Sequence, residues 1–490
     1  MTLKPAEYYR ALLARDARFD GIFFVGVTST RIYCRPICRA PKPRPERCRY
    51  FNTAAAAERR GFRPCLRCRP ELSPGSAPGV SADAVRRLAS AAAERIAAGA
   101  MDDVGVEGLA ADLGVSARHL RRVVERELGA SPMELAQTRR LLTAKRLLTD
   151  SPLPVTQVAF ASGFGSLRRL NALFRERYRL SPAALRRAAQ TPARRRVRTE
   201  PTLTLSLSYR PPYDWPAMLG WLAPRATPGV EIVAHGRYRR TVRIVEHGIL
   251  SVSAEPKASA LRVELSASLV PAMVPLLTRL RRLFDLDADP AVVQEHLGAD
   301  AWLESLVRRH PGLRVACAMD GFELALRAVL GQQVSVRGAS TLAGRLAALL
   351  GEPMASDADG LTRLAVTAER LADSTEAAVA GIGLPRNRAR TVVALGRAAA
   401  AGGLDLSPGA DIERTRAELM KIPGVGEWTA DYVLMRALRW PDAFPAGDLG
   451  LRKAAGGITA PELRRRAEAW RPWRSYAAAY LWQSLADGNQ

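Results

Sequence analysis

Segment 421–432 combines a tight turn with two aromatic side chains, and its sequence is KIPGVGEWTADY. Gly424 and Gly426 form a turn between two segments that read as helices. A turn that opens a helix leaves backbone N–H groups unpaired, and these groups can bind a phosphate. Trp428 and Tyr432 are four residues apart and therefore share one face of the second helix. The segment could hold a phosphate backbone beside a stacking surface for a flat ring.

A carboxylate follows this segment, because Phe444-Pro-Ala-Gly-Asp448 places Asp448 after a stretch broken by proline and glycine. The turn, the aromatic pair and the aspartate together resemble the helix-hairpin-helix, Gly/Pro-rich, aspartate-containing DNA glycosylases. Within them, the resemblance is to the 3-methyladenine DNA glycosylase II branch. It implies that a damaged base is flipped out of the duplex and that Asp448 stabilises an oxocarbenium-like sugar. It assigns the base pocket to Trp428, Tyr432 and Trp482, and DNA contacts to Gly424 and Gly426.

Segment 331–335, Gly-Gln-Gln-Val-Ser, resembles the part of these enzymes that enters the duplex and fills the gap left by the extruded base. By position, the resemblance gives this role to Gln332 and Gln333. Family members often carry an apolar wedge at the second position. A polar side chain gains less from wedging between bases, so wedging by Gln333 is left open.

The expected reaction is hydrolysis of the glycosidic bond of an alkylated purine. An N3- or N7-alkylated purine carries a positive charge, which aromatic faces attract by about 0.5–2 kcal/mol per ring. Relatives that also cut the backbone carry a nucleophilic lysine where this chain has Trp428, so an abasic site is the expected product. No cysteine set follows the pocket, and no iron–sulfur cluster is expected. Cys317 lacks the Pro-Cys-His-Arg setting of an O6-alkylguanine methyltransferase.

Four cysteines in two close pairs form a second candidate site. Cys34 and Cys38 are separated by 26 residues from the pair Cys65 and Cys68. A small fold can bring four such thiolates to one tetrahedral zinc ion, so a single Zn²⁺ site with four cysteine ligands is predicted. Alternatively, such a zinc ion has a purely structural role and only stabilises a small domain. Cys48 has no partner at metal-site spacing.

The sequences around these cysteines, FFVGVTSTRIYCRPICRA and GFRPCLRCRP, closely resemble the N-terminal domain of the bacterial Ada adaptive-response family. The resemblance implies that Cys34 is both a zinc ligand and a methyl acceptor, which takes a methyl group irreversibly from a methylated DNA phosphate. Zinc keeps a thiol deprotonated and nucleophilic at neutral pH. Conversion of one thiolate into a thioether would relax its repulsion of DNA and make the site a damage sensor. The predicted phosphate contacts are Arg31, Arg35, Arg39, Lys42, Arg44, Arg47 and Arg63.

An internal repeat spaced by about 50 residues follows the cysteines. LGVSARHLRRVVERELGASP at 113–132 recurs loosely as SGFGSLRRLNALFRERYRLSP at 162–182. Each copy has a glycine turn, a serine that can cap a helix and a basic amphipathic helix, which is typical of a helix-turn-helix reader. The pair resembles the two-reader DNA-binding domain of AraC-type activators; a module used only for protein contacts is the alternative. The predicted DNA-facing residues are Arg118, His119, Arg121, Arg122, Arg168, Arg169 and Asn171.

Periodicity predicts the elements that position the C-terminal residues. Segment 202–209, TLTLSLSY, alternates polar and apolar residues as a half-buried strand does. Further strands are predicted at 230–234, 238–245, 249–254 and 261–265. From residue 270 onward the pattern is almost wholly helical. The strand-rich part matches the N-terminal sheet domain of 3-methyladenine DNA glycosylase II, and we assign it a supporting role without chemistry.

The predicted fold class is multidomain α+β. A small zinc-bound methyl-acceptor domain is expected at 1–75, and an all-α double helix-turn-helix domain at 80–190. A small antiparallel α+β domain is expected at 200–310, and an all-α helix-hairpin-helix glycosylase domain at 311–490. Segment 191–201 reads as an exposed basic linker.

Positive charge is concentrated in the N-terminal part of this chain of 490 residues. Residues 1–200 carry +20 of the net charge of +25, and residues 201–490 carry +5. Double-stranded DNA is therefore the predicted partner, through alkylated bases, methylated phosphates and promoter sites, with RNA polymerase as the partner of an activator. The chain has no secretory signal and no apolar run of about 20 residues. No membrane contact and a cytoplasmic, nucleoid-associated location are expected.

Two alternatives stay open at this point. The chain could be a transcription activator whose C-terminal half binds DNA without catalysis, although Trp428, Tyr432 and Asp448 are all in place. It could also be a glycosylase for oxidised or mismatched bases, which a panel of lesion duplexes would separate.

Overall fold

The computed structural model describes residues 4–75, 83–102, 104–189, 202–354 and 360–488. The chain forms two compact units. The first unit comprises Met1–Pro211, Ile244–Glu246 and Glu255–Thr278, and the second comprises Pro212–Arg243, His247–Ala254 and Arg279–Gln490. The predicted linker at 191–201 lies outside the described residues.

A four-stranded sheet carries the cysteine-rich segment. Its elements are α1 (Pro5–Ala14), β1 (Phe24–Val27), β2 (Ile32–Cys34), β3 (Cys48–Phe51), α2 (Ala54–Arg59) and β4 (Arg63–Pro64). The strand order is β3-β1-β2-β4, with β1 antiparallel to β2 and β3, and β4 parallel to β2. Phe24, Tyr33 and Phe62 pack together in its core. The parallel pairing of β2 with β4 brings the two cysteine pairs to the same end of the sheet.

A series of helices forms the repeat region. They are α3 (Ala84–Ala98), α4 (Gly105–Asp112), α5 (Ala117–Leu128), α6 (Pro132–Asp150), α7 (Val155–Ala161), α8 (Leu167–Tyr178) and α9 (Pro182–Ala189). Ser116 and Ser166 cap α5 and α8, because their hydroxyl oxygens accept hydrogen bonds from the N–H groups of His119 and Arg169. The predicted pair of helix-turn-helix motifs is therefore confirmed, and the long helix α6 joins the two copies.

A buried carboxylate connects the cysteine-rich sheet to α6. Glu58 of α2 is 2% exposed, and its two carboxyl oxygens accept hydrogen bonds from the hydroxyl groups of Tyr33 (3.0 Å) and Thr138 (2.9 Å). Burial raises the pKa of Glu58 to about 7, an effect that these hydrogen bonds and the charge of Arg177 only partly offset. The contact between the two regions is therefore sensitive to pH near neutrality.

We expect Glu58→Gln to stabilise the first unit at pH 8. The folded carboxyl titrates near 7 and the ordinary one at 4.5, so the folded state binds more protons between these values. Stability then falls as the pH rises from 4.5 to 7. The neutral amide avoids burial of a charge, and a gain of about 1–3 kcal/mol is expected at pH 8, with little change at pH 4.5. Urea unfolding at both pH values checks this, with the exposed Glu125→Gln as control. A variant no more stable than the unsubstituted chain at pH 8 would contradict it.

Antiparallel strands open the C-terminal half. They are β5 (Thr202–Ser208), β6 (Glu231–Ala234), β7 (Arg237–Arg243), β8 (His247–Glu255) and β9 (Ala260–Ser266). β5 pairs with β9 along its whole length, and β7 pairs with β6 on one side and β8 on the other. All five predicted strands are confirmed, with ends shifted by one or two residues.

Helices dominate the chain from residue 270 onward, as predicted, and an α-helix also lies between β5 and β6. They are α10 (Trp215–Leu222), α11 (Met273–Leu283), α12 (Pro290–Leu297), α13 (Glu304–Arg309), α14 (Gly321–Leu330), α15 (Val336–Leu350), α16 (Ala368–Ala372), α17 (Glu376–Ala380), α18 (Arg386–Ala400), α19 (Ile412–Lys421), α20 (Glu427–Arg436), α21 (Leu449–Ala454), α22 (Ala460–Ala467) and α23 (Arg474–Asp487). In the described residues, no helix is long and apolar enough to cross a membrane. The hairpin of α19 and α20 positions Trp428 and Tyr432, and the start of α21 positions Asp448.

Candidate functional site

Asp448 caps the N-terminus of α21 and is held there by three N–H donors. Its Oδ1 accepts hydrogen bonds from the Leu451 backbone N–H (2.9 Å) and the Trp482 indole N–H (2.9 Å). Its Oδ2 accepts one from the Trp428 indole N–H (3.0 Å). Donors to both oxygens fix the orientation of the carboxylate. Asp448 is therefore a helix cap and also a negative charge fixed at one place in the second unit.

The predicted aromatic residues surround this carboxylate. Trp428 and Tyr432 stack with ring centroids 5.4 Å apart and planes 21° apart, and Tyr432 meets Trp482 edge to face at 6.2 Å. With Asp448 they line a cleft of about 1660 Å³. The structure thus brings together the carboxylate and the three rings that the sequence singled out.

Two further cleft residues come from α10 and the turn after it. The Trp221 ring lies 4.9 Å from the Trp482 ring, and the Arg225 guanidinium carbon lies 3.4 Å from the centre of the Trp221 ring. Both side chains line the cleft, so the segment 200–310, predicted to have a supporting role without chemistry, contributes part of the cleft wall. The only sequence signal was the aromatic density around Trp221, and no spacing connects it with residues 200 positions away.

The loop between α14 and α15 lies at the same cleft. The Gln332 amide donates hydrogen bonds to the Gly424 carbonyl (3.0 Å) and the Thr429 hydroxyl (2.9 Å), so its side chain ties the loop to the hairpin. Gln333 is exposed and has a backbone φ of +55°. Gln333 is therefore the more exposed of the two residues predicted to enter a duplex, and this insertion stays a prediction.

The turn of the hairpin requires glycine at one of its two glycine positions. Gly424 has a φ of +87°, and a Cβ there would lie 2.2 Å from the Thr391 hydroxyl oxygen. Gly426, the N-cap of α20, has a φ of −107°, and a Cβ there would meet no described atom within 4 Å. The first N–H groups of α20 lack intrahelical acceptors, so the turn presents donors suited to a phosphate.

We expect Gly424→Ala to destabilise the second unit by about 1–3 kcal/mol. An alanine there would have a strained left-handed backbone conformation, and its Cβ would clash with Thr391. Affinity for duplex DNA should fall with it, since the turn that presents the N–H groups is displaced. Gly426→Ala is the matched control and should change stability little. Thermal unfolding and fluorescence anisotropy with a labelled duplex measure both effects. Equal losses in the two variants would contradict the role given to Gly424.

The four predicted metal ligands converge in the first unit. Cys34 ends β2, Cys38 lies in the turn that follows, and the Cys65 N–H donates to the Tyr33 carbonyl (2.9 Å). The Sγ atoms of all four cysteines lie within 4.8 Å of one another. This spacing fits four thiolates around one tetrahedral Zn²⁺ with Zn–S bonds of about 2.3 Å, and an all-thiolate set favours zinc over oxygen-preferring ions. These cysteines bind one Zn²⁺.

Backbone N–H groups contact three of the sulfur atoms, since the Cys68 N–H donates to Cys65 Sγ. The Arg35 N–H donates to Cys68 Sγ (3.3 Å) and the Ala40 N–H to Cys38 Sγ (3.5 Å). Within the described residues, no such hydrogen bond reaches Cys34 Sγ. Cys34, Cys38 and Cys65 are buried, and Cys68 is half-buried. Among the described residues, Cys34 Sγ is therefore the sulfur atom of the four that no backbone N–H group stabilises.

Arg35 lies inside the fold, where its donors are used. It is 7% exposed, its guanidinium is paired with the Asp20 carboxylate, and it donates to the Cys68 carbonyl (3.1 Å). The predicted phosphate contact is therefore wrong for Arg35, which instead holds the second cysteine pair in place. The exposed members of the predicted set are Arg31, Arg39, Arg44 and Arg47.

The two recognition helices bury one side and present basic residues on the other. On α5, Leu120, Val123 and Val124 are buried. The exposed candidates are Arg118, Arg121, Arg122, Arg168 and Arg169, and the half-buried ones are His119 and Asn171. Arg121 is paired with the exposed Glu107 at 2.6 Å, a surface ion pair that costs little to break.

Three family models match the chain: the metal binding domain of Ada at residues 7–71, a helix-turn-helix domain at 109–188 and the AlkA N-terminal domain at 204–320. A Mycobacterium tuberculosis protein, described as a probable bifunctional transcriptional activator/DNA repair enzyme AlkA, is 43% identical over 97% of this chain and 96% of its own. Escherichia coli DNA-3-methyladenine glycosylase 2 is 37% identical over 56% of this chain and 96% of its own. The solved 3-methyladenine DNA-glycosylase of Archaeoglobus fulgidus, 22% identical, covers 57% of this chain and 97% of its own with a TM-score of 0.51, which shows the fold.

Together, the fold and the two sites define a fusion of an Ada-type zinc-binding domain, a helix-turn-helix activator domain and a glycosylase of the 3-methyladenine II type. The chain belongs to the family of bifunctional transcriptional activators and DNA repair enzymes that includes the Mycobacterium tuberculosis protein. The predicted resemblance, the multidomain α+β class and DNA as a partner are confirmed. The bounds of the four domains stay predictions.

Proposed function

We propose that the C-terminal half is a monofunctional DNA glycosylase that excises alkylated purines of the 3-methyladenine type. The observation that carries this proposal is the carboxylate of Asp448, fixed by the indole N–H groups of Trp428 and Trp482 inside an aromatic cleft. The glycosylase activity named for the Escherichia coli and Archaeoglobus fulgidus proteins supports it.

Each part of the cleft has a step in this reaction. The N–H groups after Gly424 hold a phosphate while the damaged nucleotide rotates out of the stack. The base enters among the rings of Trp428, Tyr432 and Trp482. The C1′–N bond breaks with its electron pair moving to the base, and the Asp448 carboxylate stabilises the positive charge that develops on the sugar. Water then adds to C1′ and releases a proton.

Product analysis tests this proposal. A duplex that carries N3-methyladenine should release the free base and keep an unbroken strand, which is cut at the abasic site only after alkali. Strand cleavage without alkali would contradict hydrolysis as the sole activity, since Trp428 replaces the lysine needed for a Schiff base. A panel with oxidised and mismatched bases separates the alternative substrate class, which requires faster release from those duplexes.

We also propose that Cys34 accepts a methyl group from a methylated DNA phosphate. Zinc would keep the four thiols deprotonated at neutral pH. Among the described residues no N–H group donates to Cys34 Sγ, whereas Cys38 and Cys68 accept such bonds. In the transfer, an S–C bond forms, the C–O bond to the phosphate breaks and the phosphodiester anion leaves.

Mass spectrometry of digested protein tests the transfer. After incubation with DNA that carries methyl phosphotriesters, the peptide containing Cys34 should gain one methyl group. The peptide containing the buried Cys48 serves as an internal control and should stay unchanged. An unmodified Cys34 peptide would mean that the zinc site has only a structural role.

The methylated chain would then act as an activator on the chromosome. The exposed arginines of α5 and α8 support promoter binding, and RNA polymerase would be the partner at the promoter. In vitro transcription from DNA bound by the chain should rise after Cys34 methylation, and equal transcription before and after would exclude the sensor role.

A further inference from the structure

Three guanidinium groups surround the hydroxyl group of Tyr432. Arg436 donates a hydrogen bond to this hydroxyl, and its guanidinium carbon lies 5.2 Å from the centre of the Tyr432 ring. Arg225 and Arg327 line the cleft together with the same tyrosine. We call these three residues the arginine cluster.

The charge of the arginine cluster is only partly balanced, because Glu231 attracts Arg327 without forming an ion pair with it. In the part of the chain that the structure describes, none of its guanidinium groups forms an ion pair within 4.0 Å. The acidic residues behind it, Glu231 and Glu323, are paired instead with Arg240. The hydrogen bonds of the cluster go to neutral oxygens: those of the Trp221, Ala316, Cys317 and Ala339 carbonyls and the Ser340 and Tyr432 hydroxyls.

Uncompensated positive charge away from bulk water is costly, and a folded protein keeps it mainly where it serves a function. Arg436 is 5% exposed, and Arg225 and Arg327 are half-buried. Burial lowers the pKa of Arg225 to about 10. Burial alone would raise the pKa of Tyr432, but the positive charges of Arg436, Arg225 and Arg327 hold it below its usual value. The place therefore favours negative charge.

The arginine cluster and Asp448 are connected through the aromatic rings by two routes. Trp428 donates to Asp448 and stacks on Tyr432, whose hydroxyl contacts the arginine cluster. Trp482 donates to Asp448 and packs against Trp221, whose face is covered by the arginine cluster. A base bound among the rings would have the carboxylate on one side and the cations on the other.

We propose that the arginine cluster draws the glycosidic electron pair toward the departing base while Asp448 stabilises the sugar. The inference rests on the proposed glycosylase activity. When the C1′–N bond breaks, the electron pair goes to the base, which becomes more negative by one charge, and the sugar becomes positive. Fixed charges of opposite sign on the two sides match this separation, and they are already oriented before the reaction.

This arrangement determines which base benefits most. An N-alkylated purine starts positive and leaves neutral. The arginine cluster repels this purine when it is bound, and the positive charge of the purine itself already promotes its departure. A neutral purine leaves as an anion and depends on the cations to accept the electron pair. The arginine cluster also opposes the attraction of a cationic base to the aromatic faces. Release of a neutral purine should therefore depend on the arginine cluster more than release of a cationic purine does.

The test compares base release from two duplexes, one with cationic 7-methylguanine and one with neutral hypoxanthine. The single-turnover reactions are run with the protein below saturation, so that the rate includes binding of the base. Arg225→Met removes one charge, and its described side-chain bonds go only to Trp221 and Tyr432. We expect it to slow hypoxanthine release by about 10- to 100-fold and 7-methylguanine release by less than about 3-fold. Arg225→Lys keeps the charge and should keep both rates within about 3-fold. Arg327→Met should reproduce the selective loss.

Thermal unfolding of each variant shows that the second unit is intact. Equal losses on both duplexes, or a selective loss that appears in Arg225→Lys as well, would overturn the charge effect in favour of packing. An unsubstituted chain that releases 7-methylguanine but no hypoxanthine would also overturn it. A chain that releases neither base fails as a glycosylase, and the inference fails with it.

Discussion

Replacement of Asp448 by asparagine should lower base release from methylated DNA by about 10²–10⁴-fold. The carboxylate is the one negative charge that the cleft holds by two indole N–H groups, and asparagine cannot stabilise a cationic sugar. The fold should survive, because asparagine is as good an N-cap as aspartate and its carbonyl oxygen can still accept the Leu451 N–H. DNA affinity should change little, since the phosphate donors lie in the hairpin. Single-turnover release of 3-methyladenine measures the effect.

Asp411→Asn is the matched control for this prediction. Asp411 caps α19 by accepting the Arg414 N–H at 2.7 Å, as Asp448 caps α21, but it does not line the cleft. It should keep full activity and stability. Equal loss of activity in both variants would show that capping, and not the charge in the cleft, explains the effect.

Replacement of Cys38 by alanine should release the zinc ion and unfold the cysteine-rich segment, although Cys34 itself is intact. Structural zinc sites contribute about 10–16 kcal/mol to small zinc peptides at pH 7. The four-stranded sheet around this site has strands of only two to four residues, so it depends on the metal. Transfer of a methyl group to Cys34 should be lost together with zinc. Metal analysis and circular dichroism of the purified chain measure both outcomes, and a chelator should reproduce them.

Cys48→Ala is the matched control, because Cys48 is 4% exposed and lies outside the four-sulfur cluster. It should keep one zinc ion per chain and an unchanged methyl-transfer yield. A Cys38→Ala chain that keeps zinc and accepts a methyl group would contradict the metal centre described above.

Features set by neighbouring residues were predictable from the sequence. Ser116 and Ser166 cap their helices because the capping bond joins residues three apart. The five strands follow from alternation of polar and apolar residues. The glycine turn at Gly424 and Gly426 needs only the backbone freedom of glycine. Each of these depends on a segment of a few residues.

Features set by tertiary contacts could not be predicted in the same way. The indole N–H groups that hold Asp448 come from residues 20 and 34 positions away. Trp221 reaches the cleft from before the predicted helical region, and nothing in its own segment identifies a partner. Arg35 has the residue type and position of a phosphate contact, yet its guanidinium forms an ion pair with the buried Asp20 carboxylate. Such contacts exist only once distant segments pack together.

The arginine cluster is another feature that depends on tertiary contacts. Arg225, Arg327 and Arg436 lie in three separate segments, and arginine is common throughout the chain. Only the structure shows that the charges of all three act on Tyr432, and that none of the three forms an ion pair within 4.0 Å among the described residues. The sequence therefore predicted an aromatic cleft for cations, whereas the structure shows one with positive charge along one side.

The most direct test of the two-activity chain is to incubate it with methylated duplex DNA and assay the same sample twice. Chromatography should show free 3-methyladenine, and mass spectrometry should show one methyl group on the peptide that contains Cys34. Asp448→Asn should keep the second signal and lose the first, and Cys34→Ala should do the reverse. No free base from the unsubstituted chain, or equal release by Asp448→Asn, would contradict the central claim.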